Sequence, residues 1–155
     1  EVADGVLLNY LPSSHVQPSI DQVRKGGQAK IFAYVHASVT EFERGAKSAK
    51  RDLFNYAMAD GYAKMFKEAG FGEEVDQIRT LQKQKDREGA VDAVSEKMIQ
   101  AIDFIGSKNE VTQFVKSYLD AGVEHPILMP MPWGDDRMAV TQATMEASIA
   151  ATQSN

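Results

Sequence analysis

Three short apolar stretches, Val6-Leu7-Leu8, Ile31 to Val35 and Ile127-Leu128-Met129, are spread along a chain of 155 residues, and each is followed by sequence of helical character. A strand-then-helix rhythm predicts parallel strands, which are stable only where helices cover both faces or the sheet closes on itself. Three strands cannot close a barrel. The second stretch, residues 29–39 (AKIFAYVHASV), is apolar on both alternating faces and is expected to be buried on both.

Between the strands the spacing is helical. Pro18 suits the first turn of a short helix that should stop at Gly26-Gly27. Thr40 and Glu43 have the spacing of a capping box, followed by Phe42, Ala46, Ala49, Leu53 and Ala57 on one helical face. Asp60-Gly61 interrupts that helix, Gly70 caps the next, and the polar run Gln82 to Glu88 predicts a solvated bend in a helical hairpin. Val91, Val94, Met98, Ile99 and Ile102 resume the apolar face. Ser107 and Glu110 form a second candidate capping box, ahead of a stripe of Val111, Phe114, Val115, Tyr118 and Leu119. A proline-punctuated loop, Pro130 to Asp136, follows the third strand and leads to a final helix from Arg137 to about Thr152. A crossover between parallel strands needs only about a dozen residues, so the segment from about 40 to 106 reads as an all-helical insertion between the second and third strands.

Composition excludes several function classes. A net charge of −5 supplies no basic stripe for nucleic acid or an anionic membrane. No apolar run approaches the roughly 18 residues of a membrane span, and the absence of cysteine removes disulfides, thiolate nucleophiles and Cys-based zinc sites together. These features agree with a cytoplasmic protein. His15, His36 and His125 show no short metal-ligand spacing, so no metal site is expected. The paired carboxylates Glu73-Glu74 and Asp135-Asp136 read as surface or helix-start residues, because neighbours on a helix point in different directions.

Three groups of residues, taken in order, carry a resemblance. They are Ala3-Asp4-Gly5-Val6-Leu7-Leu8-Asn9-Tyr10-Leu11; Tyr62-Ala63-Lys64-Met65-Phe66 with Ala69-Gly70-Phe71-Gly72; and Ala121-Gly122-Val123-Glu124-His125-Pro126. The chain resembles the carboxy-terminal part of the luciferase-like monooxygenase superfamily, in particular the branch similar to the deazaflavin-dependent methylenetetrahydromethanopterin reductases. The resemblance implies an α/β fold, a partial (β/α)8 TIM barrel in which residues 6–9, 29–39 and 125–129 are the last three parallel strands. Such a barrel takes about 250 residues. The chain begins at Glu1 and enters a strand almost at once, so residues 1–155 are expected to be the carboxy-terminal portion of one barrel domain.

The same resemblance implies a flavin- or deazaflavin-dependent oxidoreductase or monooxygenase that moves a hydride or activates oxygen on a small-molecule substrate. The cofactor is FMN or the deazaflavin coenzyme F-420, with the choice left open. Asn9, at the end of the first strand, can hydrogen-bond a flavin ring or phosphate, or serve as a turn asparagine. His36 is a polar contact at the barrel mouth or a satisfied structural histidine. Trp133 can wall a planar ring or plug the space beneath the final helix. No catalytic base is identifiable. A partial barrel alone should be inactive and should have its edges covered by a second copy, giving a homo-oligomer, or by the remaining barrel segment. The competing expectation is a short, non-catalytic α/β protein that binds a flavin or self-associates.

Overall fold

The computed structural model describes residues 3–153. Its elements are β1 (Gly5–Leu8), α1 (Val16–Gly26), β2 (Lys30–Val39), α2 (Phe42–Ala57), α3 (Asp60–Phe66), α4 (Gly72–Lys83), α5 (Arg87–Asp92), α6 (Glu96–Ile102), β3 (Asp103–Gly106), α7 (Lys108–Asp120), β4 (His125–Pro130) and α8 (Arg137–Gln153). A wide turn over Lys67–Phe71 joins α3 to α4, and Gly70 takes a φ of 93° there, where a side chain would be strained.

All strand pairs are parallel. Phe32 and Ala33 of β2 pair with both β1 and β4, and His36 and Ala37 pair with both β3 and β4. Each residue has only two edges, so β1 and β3 follow one another along one edge of β2 while β4 occupies the other. Four strands are therefore present where three were expected. The correction falls inside the segment read as all-helical: Asp103–Gly106 is a strand, placed beside the carboxy-terminal half of β2.

The outer face of the sheet is closed by α1, α7 and α8. Ile31, Ala33 and Val35 pack there with Val16 and Ile20 of α1, Val115 and Tyr118 of α7, and Ala151 of α8. Fully burying each of these valine and isoleucine side chains is worth about 1.5–3 kcal/mol. The expected box at the start of α7 is complete, with Ser107 accepting from the Glu110 backbone while Glu110 reaches back to Ser107. The expected box at Thr40 and Glu43 does not form. Glu41 is the residue flanking α2, without a side-chain cap bond, and its carboxylate is held by Arg44 at 2.8 Å.

The inner face is divided. Leu7 lies beside Phe32, Ile127 beside Tyr34 and Met129 beside His36, and paired neighbours share a face. Leu7 and Ile127 are 45% and 37% exposed, so this lower half of the inner face is open, and the opening continues up β4 to Met129, 40% exposed. Towards the carboxy-terminal ends of the strands, His36 and Ser38 are buried. There a second core closes over the sheet: Ile105 of β3 and Tyr10 join Ala49, Leu53 and Phe54 of α2, Phe66 of α3 and Ile99 of α6.

Candidate site at the strand ends

β1 ends level with Ala33, and β3 begins level with His36. Tyr10 leaves the end of β1 with a φ of 54°, a left-handed conformation that costs a non-glycine residue roughly 1–2 kcal/mol. What holds it there is its side chain. The ring packs edge-on against the His36 imidazole at 4.1 Å and tilted against Tyr56 at 3.8 Å, and the hydroxyl donates to Asp52 Oδ2 at 2.6 Å. Burial first, and then the hydrogen bond to Asp52, push the Tyr10 hydroxyl pKa upward, so it remains a donor.

His36 is 4% exposed, with Nδ1 placed 3.2 Å from Asp103 Oδ1. Asp103 opens β3 directly opposite His36 and is fully buried. Its other oxygen, Oδ2, has no conventional donor. Burial raises the Asp103 carboxyl pKa, opposed by His36, while the neighbouring Asp52 carboxylate raises it further.

Asn9 sits one residue before Tyr10 and donates from Nδ2 to the Tyr62 hydroxyl at 3.0 Å, leaving its buried Oδ1 without a partner. Tyr62 in turn contacts Tyr56, with ring centroids 4.8 Å apart. Ser38 Oγ is also buried and unpartnered, two residues beyond His36 on the same face. Trp133, in the loop after β4, packs partly buried against the core formed by α2 to α6. The following Gly134 approaches Thr40 so closely that a Cβ would lie 3.1 Å from its hydroxyl. Asp135 is tied to Arg44 of α2 at 2.7 Å, and Asp136 accepts from the Ala139 backbone at the start of α8.

Asn9, His36 and Trp133 thus lie toward the carboxy-terminal end of the sheet, where parallel α/β folds place their ligands. Asn9 and His36 are linked through the Tyr10, Tyr56 and Tyr62 rings. Sequence reasoning missed Tyr10, Asp52, Tyr56, Tyr62 and Asp103. The available signal was that Tyr10 and Tyr62 fall within the stretches that carry the resemblance.

A cavity of about 950 Å³ lies elsewhere, between α2 and the α5–α6 region. It shares no residue with the strand-end cluster, and its cations Lys47, Lys50, Arg51 and Arg87 are matched by Glu43, Glu88, Asp92 and Glu96. It has no charge bias with which to select an ion. Among the described residues no group of three or more His, Asp or Glu side chains is arranged to hold a metal ion, and no helix is long and apolar enough to cross a membrane.

Comparison with curated proteins gives no match. The luciferase-like monooxygenase family matches residues 1–125, which takes in β1 to β3, all of α1 to α7 and the first residue of β4. With four-fifths of its length matched and a parallel sheet carrying its polar cluster at the strand ends, the chain belongs to the luciferase-like monooxygenase family.

Proposed function

We propose that the chain forms the carboxy-terminal wall of a flavin- or deazaflavin-dependent oxidoreductase, with the cofactor bound at the strand ends beside Asn9, His36 and Trp133. The observation that carries this reading is the buried, unpartnered Asn9 Oδ1 at the end of β1. A buried acceptor without a donor costs about 1–3 kcal/mol, which a ring N–H of a bound cofactor would offset. Bound there, an FMN or deazaflavin ring would supply the hydride or oxygen chemistry. Asn9 would accept from the ring and remain oriented by Tyr62. Trp133 would wall one face of it. His36, enclosed by Tyr10 and Asp103, would act through the Tyr10 ring that packs on it.

The open half of the inner face supports the barrel reading. Leu7, Ile127 and Met129 have the apolar character of a barrel interior, and among the described residues the outer edges of β1 and β4 have no partner strand. The remaining strands of a barrel, or a second copy of the chain, would cover them.

Titration of the barrel-length protein with FMN and with F-420, followed by visible absorption, tests the reading. A saturable spectral shift with one of the two is expected, and Asn9→Ala should weaken that binding by about tenfold, the equivalent of one good hydrogen bond. If neither chromophore responds, the cofactor reading is wrong.

A further inference from the structure

The loop after β4, residues 131–136, has no regular structure of its own, yet it carries Trp133, the one tryptophan of the chain. A segment of that kind opens readily unless particular contacts hold it. Ahead of Trp133, the Met131 N–H donates to the Ala37 carbonyl at 2.8 Å and so prolongs the β2–β4 ladder by one bond. The Trp133 N–H turns back to the Met131 carbonyl, also at 2.8 Å. Beyond Trp133 the chain bends at Gly134, whose φ of 126° suits glycine and whose backbone lies against Thr40 of the loop after β2.

The anchor on this far side is Arg44, in the first turn of α2. Its Nε donates to Glu41 Oε2 at 2.8 Å and its Nη1 donates to Asp135 Oδ2 at 2.7 Å. Glu41 lies between β2 and α2, and Asp135 lies between β4 and α8, so one side chain joins two loops at the strand ends. Arg44 is the only cation paired with Asp135 among the described residues. An isolated exposed ion pair contributes little, because two long side chains are ordered for one contact. Here a single planar guanidinium serves two carboxylates, and its rotamer freedom is lost once for both.

We propose that Arg44 is a positioning residue: by holding Glu41 and Asp135 at once, it clamps the loop after β4 to the start of α2 and keeps the Trp133 indole packed on the core at the strand ends. The loop is then fixed on both sides of the indole, by the Met131–Ala37 bond before it and by the Arg44–Asp135 pair after it. That an indole so held walls a cofactor ring rests on the function proposed above; the clamp itself does not.

Tryptophan emission of the 155-residue protein reads the clamp without any cofactor, because Trp133 is its single source. The Arg44 and Asp135 side chains are 52% and 86% exposed, so replacing them should leave both cores folded. Arg44→Ala should move the emission to longer wavelength and raise its quenching by acrylamide, with the far-ultraviolet circular dichroism unchanged. Asp135→Ala should do the same, and the double variant should go no further than either alone, since both remove one interaction. Arg44→Lys should fall between wild type and Arg44→Ala, because an ammonium keeps the charge and lacks the fork that holds two carboxylates. Arg24→Ala is the control: it removes a 2.9 Å pair with Glu124 ahead of β4 and should leave the emission in place.

In the barrel-length protein, Arg44→Ala should also weaken binding of the responding chromophore several-fold. A red-shifted Trp133 in a protein that answers to neither chromophore supports the clamp and removes the cofactor reading, so the two claims fail separately. Emission of Arg44→Ala identical to that of the wild type would overturn the proposal. So would shifts that add in the double variant, or an equal shift in Arg24→Ala.

Discussion

The two halves of the inner sheet face are made of the same strands and behave differently. At the carboxy-terminal ends, α2 to α6 fold over the sheet, bury His36, Ser38, Asp103 and Ile105, and set the paired rings of Tyr10 and Tyr56 against His36 through Tyr10. A few residues lower, Leu7 and Ile127 stand exposed on the same face, and along β4 the open surface reaches up to Met129, level with His36. The closed half is polar where it meets the sheet and apolar above it. The open half is apolar with nothing over it among the described residues. The difference shows a division of labour: the segment between β2 and α7 builds the site end, while the lower half is a surface prepared for cover.

Substitutions can break this comparison, and the largest effect should come from the closed half. Phe66 is fully buried in the core above the sheet. Phe66→Ala should cost about 3–5 kcal/mol by denaturant unfolding; a cost near zero would mean that this core is not formed. A smaller effect is expected at the outer edge of β3. Gln100 takes the place of a neighbouring strand, donating to the Ile105 carbonyl at 3.0 Å and accepting from its N–H at 3.3 Å. Gln100→Ala leaves both backbone groups without that partner and should cost roughly 1–3 kcal/mol, with faster amide exchange at Ile105. The least effect should come from the open half. Ile127→Thr should change stability by no more than about 0.5 kcal/mol, and it should reduce self-association if a second copy covers the face. A loss as large as that of Phe66→Ala would show that Ile127 is buried and the two halves are alike.

Much of the closed half was illegible in the sequence, for physical reasons. β2 announced itself through β-branched and aromatic residues, and the Ser107 box through its spacing, because both signals are local. β3 has four residues and follows Ile102 without a glycine or proline between. Its Ile105 falls three positions after Ile102, so it prolongs the helical stripe of α6, and only pairing with β2 makes the segment a strand. Thr40 and Glu43 carried the box spacing, yet Arg44 claims the Glu41 carboxylate and α2 starts one residue later. His36 stood out as a histidine near a strand end. Its partner Asp103 lies 67 residues away, and Asp52 lies on a helix whose apolar face was the visible feature. Long-range polar pairs leave no periodicity to read.

Amide hydrogen exchange resolved by peptide, on a protein of these 155 residues, measures the contrast between the halves most directly. The account predicts the slowest exchange in the peptides covering His36 to Val39 and Asp103 to Gly106, with markedly faster exchange over Gly5 to Leu8 and His125 to Pro130, whose outer edges are unpaired among the described residues. Equal protection across all four strands would contradict it, because the lower half would then be as closed as the upper.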